Sequence, residues 1–252
     1  MTETSAADEQ PAVAKKKNVF ERIAGVLFAP AETFADIARR PDLLGPLALM
    51  ILLGYISTAL IMPRVDFDAV FEAQEQEMRK RDPNVSQEQI DQIARFSRAS
   101  MTVWRWIGPV VGILIYVVIA AVLLLAVRLF GGEGNFKQAL SASIYAWVPL
   151  LLYSLILTIV VVARGTFDPI TAATLVKSNP AFLVDLKTQP VLFSLFSALD
   201  VFTIWTVILL VFGFAALSRL SRGMVAAIVV PLWLVFVLLR VAFVALTTGA
   251  GS

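Results

Sequence analysis

The sequence predicts an all-α polytopic integral membrane protein with five transmembrane helices. Hydrophobic residues make up 58% of its 252 residues and the mean hydropathy is +0.80, whereas soluble domains have roughly 45–50% apolar residues. Five segments reach the length of about 20 largely apolar residues that a membrane helix needs. Pro46, Pro109, Pro149 and Pro231 lie inside these segments, at a density that membrane helices tolerate better than soluble ones.

The composition also limits the chemistry that the chain can perform. It contains no cysteine and no histidine, which excludes disulfides and thiolate nucleophiles and removes the commonest general base and metal ligand. The net charge is only +2, and the basic residues form no stripe suited to nucleic acid. No phosphate-binding loop, nucleophile elbow or intramembrane protease motif occurs. We therefore expect no enzyme activity, no cofactor, no metal site and no nucleic-acid partner.

The N-terminal region precedes the first span. Residues 1–18 are predicted to be a disordered tail, because residues 1–14 are polar, acidic and small. The lysines at 15–17 are either a solvated charge run or an anchor to anionic lipid. Two short amphipathic helices are predicted at residues 19–28 and 31–40, the second after Pro30. They either lie in the membrane interface or pack against the helical bundle.

The membrane domain is predicted over residues 19–252, and its spans are connected by loops of unequal length. Pro83 divides the charged segment 63–106 into two helices, and Ser86 and Gln89 have the spacing of a capping box at the start of the second. This segment predicts a two-helix cap on the bundle. Residues 163–190 predict a broken helix at the interface. The predicted spans are residues 43–62, 107–129, 139–162, 191–216 and 224–246.

Three short motifs, in order along the chain, resemble the Yip domain family of polytopic membrane proteins. Asp42, Gly45 and Pro46 belong to the second, and Tyr145 and Pro149 end the third. The motif at 42–46 departs from the family pattern, because Leu44 replaces a tyrosine. The motifs are FAPAETF at 28–34, DLLGP at 42–46, and the glycine turn GGEGNFK at 131–137 followed by Tyr145-x-x-x-Pro149.

The resemblance implies a non-enzymatic scaffold or organiser that acts through protein partners. In eukaryotic relatives these would be Rab GTPases, but the FAPAETF segment resembles bacterial members, which have no Rab proteins. The partner is therefore unknown, and a second copy of the chain is among the candidates. Lysine and arginine are equally numerous on the two sides, but the short link at 218–223 has two arginines and no acid. With the resemblance, this favours a bacterial inner membrane, a cytoplasmic N-terminus and an external C-terminus.

Four residues inside the spans are candidates for a structural or functional role. Tyr145 and Pro149 lie one turn apart and predict a packing hub or a functional kink. Asp200 and Arg240 each cost roughly 2.5–3.5 kcal/mol near the centre of a span. Both lie 20 residues from Leu220, the centre of the last link, so they reach the same depth. We expect a salt bridge between them, or separate extension of each side chain to the interface.

An alternative function is a small transporter or lipid-handling channel built on Asp200 and Arg240. Transporters of this kind commonly show internal repeats and a polar pathway. The chain shows no repeat, and its spans carry little polarity. The scaffold is therefore the favoured function.

Overall fold

The computed structural model describes residues 17–167 and 172–249, so most of the predicted tail lies outside it. Within the described residues the chain forms helices and no β-strand. Two short 3-10 helices, Met62–Arg64 and Pro180–Leu183, lie between α-helices. The α-helices are α1 Val19–Phe28, α2 Pro30–Arg39, α3 Leu44–Ile61, α4 Phe67–Arg81, α5 Gln87–Leu129, α6 Phe136–Ala146, α7 Val148–Arg164, α8 Ala172–Leu175, α9 Pro190–Ala198, α10 Val201–Ser218 and α11 Arg222–Gly249.

Five segments of the described chain are long and apolar enough to cross a membrane, which confirms the predicted number of spans. They are α3 with the 3-10 turn after it, α5, α6 together with α7, α10, and α11. We call the side that carries α1, α2 and the glycine turn the N-terminal side. The side that carries α4 is called the loop side.

Helix α5 is longer than the sequence predicted. Its 43 residues would extend about 65 Å at 1.5 Å per residue, so the second cap helix and the second span form one helix. The Ser86 side chain accepts from Gln89 N, and the Gln89 side chain accepts from Ser86 N, which confirms the capping box. Pro109 lies inside α5 without ending it.

The third span breaks where the sequence predicted a break. Helix α6 ends at Ala146 and α7 begins at Val148, so Pro149 lies in the first turn of a new helix. Proline is well tolerated there, because the first N–H groups of a helix have no intrahelical acceptor. Between the two helices, Trp147 N donates to Ile144 O at 3.2 Å in a tight turn.

The fourth span differs from the predicted continuous helix over 191–216. Helix α9 ends at Ala198, and α10 begins at Val201. Asp200 is the N-cap of α10, and its side chain accepts from Phe202 N and Thr203 N. An aspartate that caps a helix takes extended backbone, so it interrupts the helix instead of lying within it.

The two N-terminal helices pack against the bundle. Val26 of α1 and Phe34 and Ile37 of α2 are buried. A Cβ on Gly213 of α10 would lie 3.1 Å from Phe34, so the absence of a side chain at Gly213 lets α2 approach α10. Phe20 remains 70% exposed on the outer face. Packing against the bundle is therefore the interpretation that the structure supports, and contact of the outer face with lipid stays a prediction.

The loop side contains a helical pair and a short link between loops. Helix α4 contacts the first part of α5. Phe167 joins the segment after the first span, because Asp66 N donates to Phe167 O at 3.0 Å and Phe167 N donates to Arg64 O at 2.9 Å. The predicted broken helix in the second loop is present as α8 and the 3-10 turn.

We predict that the N-terminal side is cytoplasmic and the C-terminus external. Single cysteines at Ala31, Gln76 and Thr248 test this in a chain that has no other thiol, because all three side chains are exposed. In intact spheroplasts, an impermeant maleimide should label Q76C and T248C, and A31C only after permeabilisation. Labelling of A31C alone would show the inverted orientation, and identical sidedness of positions 31 and 248 would contradict five spans.

Candidate functional site

The most charged buried site lies at the N-terminal side of the bundle. We define the N-terminal cluster as Arg22 of α1, Asp36 of α2, Asp42 before α3, and Tyr145 of α6. The Arg22 side chain is fully buried; its Nη2 lies 2.8 Å from Asp36 Oδ2, and its Nη1 pairs with Asp42 Oδ1. Its Nε also donates to Asp36 at 3.0 Å. The Tyr145 hydroxyl donates to Asp42, 3.2 Å from both carboxylate oxygens.

Local sequence sets the direction in which Arg22 points. The Asn18 side chain accepts from Glu21 N, and the Glu21 carboxylate accepts from Asn18 N, so a capping box starts α1. This start places Arg22 and Val26, one turn apart, on the buried face. A Cβ on Gly25 would lie 2.4 Å from Thr33 Oγ1. Helix α2 can therefore pack this closely on α1 only with glycine at position 25.

Helix α6 carries three polar side chains along one face. Gln138 Nε2 donates to the carbonyl of Ala38 at 2.8 Å, and the Ser141 hydroxyl donates to the carbonyl of Asp42 at 2.9 Å. Tyr145 follows at the spacing that keeps it on the same face. These contacts attach the end of α2 and the segment after it to the third span.

Two further residues of the DLLGP motif, Gly45 and Pro46, lie at the start of α3. A Cβ on Gly45 would lie 2.5 Å from Val19 Cγ2, so glycine lets α1 and α3 come together. Pro46 is buried in the first turn of α3. Asp42, Gly45 and Tyr145 thus meet around α1, and Pro149 is buried one turn beyond Tyr145.

The electrostatics of the cluster keep Arg22 charged. Burial alone would lower the pKa of the guanidinium, but its hydrogen bond to Asp36 and the charges of Asp42 and Asp36 outweigh burial and raise the pKa above its ordinary value. The two carboxylates counteract the desolvation of Arg22, whereas loss of one partner leaves a buried charge unpaired. The cluster therefore acts as a lock that joins α1 and α2 to the bundle.

The polar groups of the cluster bind one another. Arg22 has no deprotonated form that could act as a base. The Tyr145 hydroxyl already donates a hydrogen bond to Asp42. Among the described residues, no three metal-ligating side chains come together in a group that could hold a metal ion. The arrangement can fix helices in place, and it presents no free nucleophile.

Asp200 and Arg240 lie elsewhere and do not meet. Asp200 is 7% exposed and accepts from Phe202 N at 2.9 Å, from Thr203 N at 3.1 Å and from the Ser178 hydroxyl. Arg240 is exposed, and the ion pairs of the described residues do not include it. The predicted salt bridge is therefore wrong. Equal depth brings two side chains together only if they also share a face, and Asp200 turns inward to cap α10.

Sequence reasoning missed Arg22 and Asp36. Both lie on short amphipathic helices, where charged residues are expected on the solvated face. Arg22 binds Asp36 and Asp42, which lie 14 and 20 residues after it in the sequence. No spacing within one helix therefore reveals the pairing. The available signal was that Arg22 lies one turn before Val26, on the apolar face of α1.

Tyr145→Phe tests the contribution of the hydroxyl to the cluster. We expect a loss of about 1.5–3 kcal/mol in the free energy of unfolding, the range for a hydrogen bond to a charged group. Detergent-solubilised protein unfolded with SDS and followed by circular dichroism gives the measurement. Tyr116→Phe is the matched control, since the Tyr116 ring packs edge-on against Trp147 and its hydroxyl has no hydrogen bond among the described residues. Equal stability of the two variants would show that the Tyr145 hydroxyl contributes nothing.

Comparisons with known proteins bear on the family of the chain. The family model described as the Yip1 domain matches residues 24–243. The membrane protein YknW of Bacillus subtilis (strain 168) is 22% identical over 229 residues, which cover 90% of each chain. No solved structure matches the chain.

Proposed function

Because the chain belongs to the Yip1 domain family and crosses the membrane several times, we propose that it is a non-enzymatic membrane scaffold that acts through a protein partner on the N-terminal side. The observation that carries this proposal is the N-terminal cluster. The Arg22 side chain is buried, and its charge is bound by the partly exposed carboxylates of Asp36 and Asp42, so the three side chains serve to hold α1 and α2 in place. A bacterial inner membrane, supported by the FAPAETF segment, is part of the proposal.

The outer surface of α1 and α2 is the candidate contact surface, which we call the platform. Phe28 is 86% exposed, and Glu32, Arg39 and Ala31 are exposed on α2. Lys17, just before α1, pairs with Glu32 of α2 at 2.7 Å. A platform that is fixed to the bundle presents one constant arrangement of these groups. Such preorganisation lowers the entropy that a partner must lose on binding.

Photo-crosslinking in living cells tests the scaffold function. A photoreactive amino acid at Ala31 or Arg39 should yield the same protein adducts, identified by mass spectrometry. Position 76 on the loop side and position 235 on α11 are the controls, since both side chains are exposed away from the platform. Adducts should disappear when Gly213→Leu displaces α2 from α10. Platform positions that give no more protein adducts than the controls would refute the proposal.

A transporter is the second candidate function, and the break before α10 favours it. Discontinuous membrane helices often form ion or substrate sites in transporters, and Asp200 lies at this break. Against it, Asp200 already accepts three hydrogen bonds. Proteoliposomes that contain a pH-sensitive dye would decide between the two functions. Proton flux that Asp200→Asn abolishes would support transport, and dye signals equal to those of empty liposomes would contradict it.

A further inference from the structure

A groove between α3 and α5 opens toward the loop side. The two helices touch where a Cβ on Gly54 would lie 3.3 Å from the Pro109 ring. Beyond this contact lies a cleft of about 440 Å³ whose walls are mainly apolar. This volume falls within the roughly 300–1,000 Å³ of typical ligand sites. The groove is lined by Tyr55, Thr58, Ala59, Arg105 and Trp106.

Two exposed tryptophans indicate that the groove lies at the boundary between headgroups and acyl chains. Trp104 and Trp106 are 57% and 63% exposed on either side of Arg105 in the sequence. Exposed tryptophans are concentrated at the membrane interface. The apolar part of α5 begins directly after Trp106, so one end of the groove faces headgroups and the other faces acyl chains.

Two side chains that line the groove, Arg105 and Thr58, have no ion pair or hydrogen bond within the described residues. The Arg105 guanidinium lies 5.7 Å from the centre of the Trp106 ring and has no ion-pair partner among the described residues. The Thr58 hydroxyl likewise has no hydrogen bond there. The Tyr55 hydroxyl, by contrast, donates to the carbonyl of Trp106 at 2.7 Å and links the two helices. An exposed cation at the mouth of an apolar groove is complementary to an anion that carries a hydrocarbon chain.

We propose that this groove selectively binds an anionic phospholipid from the leaflet on the loop side. The planar guanidinium of Arg105 matches two phosphate oxygens, and the Thr58 hydroxyl supplies a further donor. One acyl chain would lie along Tyr55 and Ala59. Basic pockets between membrane helices bind anionic headgroups on the same principle. This selectivity goes beyond the scaffold function and is independent of it.

Native mass spectrometry of the purified full-length protein tests the proposal. Dioleoyl phosphatidylglycerol and dioleoyl phosphatidylcholine are added at equal concentration, and the lipid that stays bound is counted. We expect the anionic lipid to be retained preferentially, and Arg105→Gln to reduce its retention at least about tenfold, as loss of a charge-assisted hydrogen bond predicts. The control Arg95→Gln removes another exposed cation of α5 outside the groove and should change nothing.

A second variant separates the groove from the charge. Ala59→Trp fills the groove but leaves Arg105 in place, so retention of the anionic lipid should again fall. This arm and the wild-type comparison decide the question even if Arg105→Gln fails to fold. Equal retention of the two lipids by the wild type, or equal losses in Arg105→Gln and Arg95→Gln, would overturn the proposal. Displacement of the bound lipid by an equal concentration of glycerol 3-phosphate would overturn the assignment to a lipid.

Discussion

Arg22→Ala is expected to lower the free energy of unfolding by about 3–5 kcal/mol, the largest effect that the structure predicts for a single residue. The substitution removes the cation that binds the carboxylates of both Asp36 and Asp42. Asp42 is about one-third exposed, so water screens part of its charge. SDS-induced unfolding of the purified protein, followed by circular dichroism, measures the loss.

Three further variants separate the charge from the packing of Arg22. Arg22→Lys keeps the charge but loses the guanidinium fork, so its stability should be intermediate. Arg22→Met combined with Asp36→Asn and Asp42→Asn removes all three charges and should recover most of the loss. Arg39→Ala removes an exposed charge of α2 and should stay within about 0.5 kcal/mol of wild type. If Arg22→Ala were as stable as Arg39→Ala, the cluster would not be a lock.

The spans were predictable because the membrane imposes a simple rule. A helix that crosses lipid must satisfy its backbone internally and carry about 20 apolar residues, so composition alone located all five spans. Local signals worked as well. The capping box at Ser86 and the break near Pro149 depend on residues within one turn of each other, and both are found in the structure.

What the sequence could not predict depends on contacts between distant helices. The sequence alone suggests that Arg22 lies on a solvated face, and only the packing of α2 and α6 around it shows that it is buried. The continuity of α5 was missed because the charged and apolar parts of one helix resemble two separate elements. Residues 42 and 145 were each identified through motifs, yet their hydrogen bond connects positions 103 residues apart. Only the packed structure shows that the two motifs form one site.

The role of Asp200 differs from the one that the sequence predicted. An aspartate near the middle of an apolar segment can pair with a cation or can begin a helix as its N-cap. The backbone of Asp200 is extended, with φ −74° and ψ 133°, so this residue begins α10. The same side chain binds Ser178, and Ser178 O accepts from Val201 N at 3.0 Å. Asp200 therefore joins the second loop-side segment to the fourth span.

If Asp200 is a helix cap, substitutions at Asp200 and Arg240 should change the free energy of unfolding independently of each other. Asp200→Ala should cost about 2–4 kcal/mol, because it removes a helix cap and a hydrogen bond from the Ser178 hydroxyl to a charged group, which leaves that hydroxyl only the longer 3.4 Å hydrogen bond to Val176 O. Asp200→Asn keeps an amide oxygen for the cap, since asparagine caps helices about as well as aspartate, and should lose less. Arg240→Ala should stay within about 0.5 kcal/mol of wild type, as for other exposed side chains.

A double-mutant cycle on SDS-unfolding free energies distinguishes the cap from a salt bridge. With a cap, Asp200→Ala combined with Arg240→Ala should be as unstable as Asp200→Ala alone, and the coupling energy should stay below about 0.5 kcal/mol. With a salt bridge, each single variant would leave an unpaired charge near the membrane, and the double variant would recover stability. If the double variant recovered more than about 1 kcal/mol of the free energy of unfolding, the result would support a salt bridge and refute the cap. A residue of α11 cannot replace the missing N-cap of α10.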